Sequence, residues 1–143
     1  MGSFKRIATL VLVLFYLSDK VAESDPDTTV VYFGCNAQDF SGWPDESYYH
    51  DALEQVFHDL ITQTPISGYS HYCTFQVENG NGLTLETFYG HGACNGEIEI
   101  SYCANCLIAA AGLSRNNCPS NMGATFQLGD CRLRYETYQF TDQ

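Results

Sequence analysis

The chain has 143 residues, 45% of them apolar, and sets 17 Asp and Glu against six Lys and Arg for a net charge of −11 at pH 7. Nucleic acid and anionic membrane are recognised chiefly through clustered Lys and Arg, so this balance excludes both as partners. The length suits one small domain, and neither an internal repeat nor a low-complexity linker divides it.

The first residues, MGSFKRIATLVLVLFYLSDKVAES, place Lys5 and Arg6 before an apolar run from Ile7 to Leu17, then Ala22-Glu23-Ser24 as small residues around a cleavage point. The run is about half the length a membrane span needs. Residues 1–24 therefore read as a secretory signal peptide and residues 25–143 as a single domain, secreted and extracellular, with no membrane insertion. Cleavage would remove Lys5, Arg6 and Lys20, leaving Arg115, Arg132 and Arg134 as the only cations of about 119 residues. No Asn-x-Ser/Thr site occurs.

The segment DTTVVYFGC has the β-branched and aromatic content of a strand ending at Gly34-Cys35. After a Gly- and Pro-punctuated loop, ESYYHDALEQVFHDLITQTP repeats Tyr49, Leu53, Val56, Phe57, Leu60 and Ile61 at helical spacing, with Asp45 as N-cap and Pro65 as stop. The opposite face of that helix carries His50, Glu54 and His58; a metal site is one reading, a solvated polar face the commoner one. Next, YSHYCTFQVENGNGLTLETFYGHGAC reads as a hairpin. His71, Cys73, Phe75 and Val77 share a face, Asn-Gly pairs make the turn, and Leu83, Leu85 and Phe88 begin the return.

A second helix, SYCANCLIAAAG, is predicted with Ser101 as its cap and Gly112 as its end, burying Cys103, Cys106, Leu107 and Ala110. The last segment, GATFQLGDCRLRYETYQF, reads as a hairpin turning at Gly129-Asp130. Its register pairs Leu128 with Cys131, Phe126 with Leu133 and Ala124 with Tyr135 on one face, leaving Thr125, Gln127, Arg132, Arg134 and Glu136 on the other. The order predicts an α+β fold: two helices on one face of a five-stranded, mainly antiparallel sheet.

Seven cysteines in a small secreted domain read first as disulfides. The Cys103-x-x-Cys106 pair also fits zinc or redox chemistry, but an oxidising exterior disfavours both. Six cysteines allow fifteen pairings, and the spacing alone does not choose among them.

Cys94-x8-Cys103-x2-Cys106, preceded by Tyr89-Gly90 and Ala93, and followed by Cys118, Gly123-Ala124, Gln127-Leu128, Asp130-Cys131 and Tyr135-Glu136, resembles the ginkbilobin-type (stress-antifungal) cysteine-rich domain of land plants. The similarity runs from about Val31 to Phe140 and is greatest to the family's single-domain secreted antifungal members. It implies disulfides Cys35–Cys118, Cys94–Cys103 and Cys106–Cys131. Cys73 is left over, read first as a buried inert thiol in a monomer and otherwise as the link of a dimer.

The resemblance further implies mannose binding, through an Asn after the first cysteine, an Arg on the fourth strand and a Glu on the fifth. Here the Asn is Asn36 and the Glu is Glu136, but the Arg position holds Thr125. The hairpin register sets Arg134 opposite Thr125; a cation moved one strand over is one reading, and a surface ion pair of Arg134 with Glu136 alone is the commoner one. The expected function is a defence lectin for mannose-type glycans of fungal walls, needing neither cofactor nor metal. Its rival is a sugar-blind protein-interaction module of the same fold. No nucleophile elbow or histidine constellation points to catalysis, and Glu97 and Glu99 are no argument for a glycosidase.

Overall fold

The computed structural model describes residues 25–143; the signal peptide expected over 1–24 lies outside the described residues. The elements are β1 (Val30–Cys35), α1 (Glu46–Gln63), a 3-10 turn (Thr64–Ile66), β2 (Ser70–Glu78), β3 (Thr84–Cys94), α2 (Ile100–Asn117), β4 (Ala124–Leu128) and β5 (Cys131–Glu136). The strands form one sheet in the order β1-β4-β5-β3-β2, every neighbouring pair antiparallel. This is the α+β layer fold expected from the sequence. Among the described residues, no helix is long and apolar enough to cross a membrane.

Both helices lie on the same face of the sheet. From α1, Tyr49, Leu53, Val56, Phe57 and Leu60 enter the core, as the helical spacing predicts, with Ile61 partly buried at its edge. From α2 come Cys103, Cys106, Leu107, Ala110 and Ala111. The hairpin from Ala124 to Glu136 has the predicted register, with Ala124 opposite Tyr135 and Phe126 opposite Leu133. Its inner side chains are buried and its outer ones half-buried, apart from Glu136, which is buried.

In β3, Gly90 lets α1 approach, since a Cβ there would come within 2.7 Å of Val56 Cγ1 and 2.8 Å of Cys73 Sγ. Edge strand β1 instead leaves Val31 68% and Tyr32 59% exposed, and among the described residues nothing pairs with its far side.

Three local expectations are corrected, and one holds in position only. α2 starts at Ile100 with Glu99 at the N-cap position, not at Ser101. It runs through Gly112 to Asn117, because Ser114 still packs in the interior and no group crowds Gly112 to break the helix. Leu83 belongs to the hairpin loop and is 63% exposed, since Asn79 Oδ1 closes that loop onto the backbone N–H groups of Asn81 and Leu83. Asp45 stands at the N-cap of α1, but its side chain makes no capping hydrogen bond.

The disulfides are Cys35–Cys118, Cys94–Cys103 and Cys106–Cys131, the pairing the resemblance implies. Cys73 is the free cysteine. Burial first, and then the nearby Asp59 carboxylate, push its thiol up to about 12. Two residues of the polar stripe of α1 are engaged, His50 Nε2 lying 3.3 Å from Glu46 and Arg115 holding Glu54 through two bonds of 2.7 Å, while His58 is exposed. Among the described residues, no group of three His, Cys, Asp or Glu is arranged to hold a metal ion.

Candidate functional site

The face of the sheet away from the helices carries the polar side chains of the strands. Cross-strand register lines them up in rows. One row runs Gly34, Thr125, Arg134, His91 and Tyr72 from β1 across to β2. Beside it, Glu136, Tyr89 and Thr74 form a second row. Asn36, the residue after β1, is tied to the start of β4, its N–H donating to Gly123 O at 2.7 Å.

On the β1 side of this face lies a cleft of about 380 Å³, lined among others by Tyr32, Asn36, Thr125, Arg132, Arg134 and Glu136. The four residues singled out from the sequence, Asn36, Thr125, Arg134 and Glu136, thus share one wall system. Asn36 is held on three sides. Besides the bond to Gly123, its carbonyl accepts from Asn121 Nδ2 at 2.7 Å and its Oδ1 accepts from the Gln38 N–H at 3.1 Å. Its Nδ2 donors have no partner among the described residues.

Glu136 is buried, with Oε1 accepting from Arg134 Nε at 3.2 Å. Its Oε2 has no hydrogen-bond partner among the described residues and lies against Gly123, where any Cβ would collide with it. A carboxylate oxygen buried in this way carries a desolvation cost that no protein donor offsets.

Arg134 is opposite Thr125, as the hairpin register requires. It is more than a partner of Glu136. Its Nη1 donates to Asp142 Oδ1 at 2.8 Å, its Nη2 donates to Tyr138 Oη at 3.2 Å, and the guanidinium lies 4.1 Å from the centroid of Phe140. Burial alone would lower its pKa, but the bonds to Asp142, Tyr138 and Glu136 outweigh this and push it up.

Asp142, Phe140 and Tyr138 belong to a tail that folds back over the sheet, and neither spacing nor motif marks it in the sequence. The Asp142 carboxylate also accepts from His91 Nδ1 at 2.9 Å and Arg132 Nη2 at 3.3 Å, while its N–H donates to Tyr72 Oη at 3.0 Å. Tyr72 in turn stacks on His91, centroids 4.0 Å apart. Burial would raise the Asp142 carboxyl. The bonds from Arg134 and His91 and the two guanidinium charges instead hold it below its ordinary range. The result is a rigid strip of planar and charged groups from Glu136 to Tyr72, and a cleft that presents amide donors, a fixed cation and a carboxylate. Such a set is suited to a neutral polyhydroxylated ligand, whose hydroxyls both donate and accept.

The sequence profile of the salt stress response/antifungal family matches residues 34–138. The chain belongs to that family. It is 32% identical to the antifungal protein ginkbilobin-like protein 1 of Picea sitchensis, over 96% of this chain and 97% of the relative. It is also 32% identical to antifungal protein ginkbilobin-2 of Ginkgo biloba, over 80% of each chain. Plasmodesmata-located protein 2 of Arabidopsis thaliana is 28% identical, with 97% of this chain matching 43% of that longer protein.

Among solved structures, the tandem DUF26 ectodomain of the Arabidopsis receptor-like protein PDLP5 superposes with a TM-score of 0.62 at 23% identity, covering 78% of this chain and 51% of that one. The salt stress response/antifungal fold in this chain thus corresponds to about half of such a tandem ectodomain.

Proposed function

We propose that this protein is a secreted defence lectin with antifungal activity that binds mannose-type glycans in the cleft between Asn36, Arg134 and Glu136. The observation that carries the reading is the convergence on one cleft of the Asn36 Nδ2 donors, unpartnered among the described residues, the fixed Arg134 guanidinium and the Glu136 carboxylate. Arg134 takes the part that an Arg at position 125 would play, reaching the cleft from the neighbouring strand. The near full-length likeness to antifungal ginkbilobin-like proteins supports the defence role and an extracellular site of action. The protein acts as a monomer, with Cys73 reduced and half-buried.

The test is a two-dimensional NMR titration of the oxidised protein with mannose. Single-sugar sites are typically near millimolar, about −4 kcal/mol. Saturable shifts at Asn36, Thr125 and Glu136, abolished by Arg134→Ala and by Glu136→Ala, are expected. Shifts that survive Arg134→Ala would keep the lectin and remove the relocated cation. Silence at tens of millimolar sugar would reject the lectin.

A second reading has its own observation. Arg134 is already engaged by Asp142, Tyr138 and Glu136, so few of its donors remain for a ligand. In that case the face serves as a protein-interaction surface, a reading the likeness to plasmodesmata-located proteins also supports.

A further inference from the structure

The same outer face holds a second hollow, of about 250 Å³, on the far side of the Arg134–Phe140 stack. Its lining includes Tyr72, Thr74, Tyr89, Gln139, Phe140 and Thr141. The floor comes from neighbouring positions of β2 and β3, where Thr74 faces Tyr89 in register. The wall is the folded-back tail, pinned by the Asp142 carboxylate and by its N–H bond to Tyr72. The hollow is therefore a product of tertiary structure rather than a gap between loose loops.

The chemistry of the two hollows is complementary. The first offers charge and amide donors. The second offers three aromatic rings, edged by the hydroxyls of Thr74 and Thr141 and the amide of Gln139. Neither Lys, Arg, Asp nor Glu lines it. An apolar floor with a few polar groups at its rim fits a neutral ring that has one C–H face and peripheral hydroxyls. Its occupant is thus neither an ion nor a charged peptide.

A single contact stands between the two hollows. Arg134 lines the first, Phe140 lines the second, and the guanidinium lies on the ring. Strands lie about 4.8 Å apart, so the distance from β4, under the first hollow, to the β3–β2 boundary, under the second, is roughly 12 Å.

We infer that the Tyr72–Tyr89–Phe140 hollow is a second saccharide subsite, and that the ligand is an oligosaccharide crossing the Arg134–Phe140 stack rather than a single sugar. This rests on the lectin reading above and extends it: the first cleft fixes one residue by its hydroxyls, the second receives a later residue of the same chain by its apolar face.

The experiment compares mannose with mannotriose on the oxidised protein, by NMR titration and calorimetry, in the parent chain and in Thr74→Arg. Position 74 is exposed on an edge strand, so the new side chain fills the hollow without entering the core. Tyr89→Ala, which removes the floor, is the second variant. Mannotriose is expected to bind at least tenfold more tightly than mannose and to shift Thr74, Tyr89, Gln139 and Thr141 as well as Asn36 and Thr125. In both variants the mannotriose-to-mannose affinity ratio should fall to about one.

Mannose binding at Asn36 with a parent ratio near one, or a high ratio that persists in both variants, overturns the subsite and leaves the lectin. Mannotriose shifts confined to the second hollow overturn the Asn36 site and keep the subsite as a saccharide site in its own right. No shift with either sugar overturns both.

Discussion

The Asp142 carboxylate, 5% exposed, lies 2.8 Å from Nη1 of Arg134 and 2.9 Å from Nδ1 of His91. One side chain from a tail without secondary structure thus fixes groups on two adjacent strands. Removing one partner of a fully buried pair costs roughly 3–5 kcal/mol. Because Arg134 and Arg132 are 20% and 33% exposed, Asp142→Asn is expected to cost less, about 2 kcal/mol in urea unfolding. The variant should also loosen Arg134 Nη1, which would appear as faster exchange of its Nη hydrogens while Nε–H stays bonded to Glu136. A stability within 0.5 kcal/mol of the parent, roughly the scatter of surface substitutions, would mean the tail is not held by this carboxylate.

Acid should release the tail. The Asp142 carboxyl is held below its ordinary value of 3.8, so its contribution is complete above that value and is lost as pH falls through the lower, folded one. Chemical shifts of the Tyr72 and His91 rings, followed downward from pH 5, should change below about pH 4. Asp142→Asn should remove that transition while leaving the separate contributions of Glu54 and Asp27, whose carboxyls are also held low. A transition unchanged in the variant would assign it to those other groups.

Gly123→Ala should damage the cleft directly. Its Cβ would collide with the Glu136 carboxylate and lie 3.1 Å from the Tyr135 carbonyl, which is backbone and does not yield. Overpacking of this kind costs about 1–3 kcal/mol. The expected outcome is a destabilised but folded protein whose Glu136 amide shift moves and whose mannose response is lost. An unchanged Glu136 environment would show that the carboxylate has room to retreat.

Cys73 should be inert while the protein is folded. With its thiol pushed up to about 12, almost no thiolate exists at pH 8, and Sγ packs toward Gly90. A thiol reagent should label it slowly in the native protein and stoichiometrically once urea is added. Sedimentation should show no disulfide dimer after mild oxidation. Rapid native labelling would mean that β2 opens at the sheet edge.

Cys35→Ser with Cys118→Ser should unpin β1. That bridge spans 83 residues, for which chain-entropy arguments give about 4.5 kcal/mol. Since Asn36 follows Cys35 directly, its amide should gain mobility before the hairpin carrying Glu136 does. Equal loosening of both would make the cleft one cooperative unit.

The hairpin carrying Thr125, Arg134 and Glu136 was legible in the sequence because alternation, a two-residue turn and the position of Cys131 all demanded one register. The opposition of Thr125 and Arg134 follows from that register alone. The end of α2 was not legible, because Gly112 usually signals a stop, whereas here it faces open space and the packing of Ser114 carries the helix onward. The tail was invisible for a different reason. Asp142 meets His91 across a separation of 51 residues, and a single carboxylate in a polar terminus has no periodicity to betray its place.

The bare edge of β1 has a consequence for how the protein behaves in a crowd. Val30, Val31, Tyr32 and Phe33 offer a hydrogen-bonding margin with neither Lys nor Pro, the devices that usually blunt one. The excess of carboxylates elsewhere then acts as the spacer between copies, and that spacer is only as long as the Debye length, about 30 Å in 0.01 M salt but about 3 Å in 1 M. Added salt should therefore shorten the protein's shelf life in solution, with colloidal self-attraction rising while each folded chain stays intact.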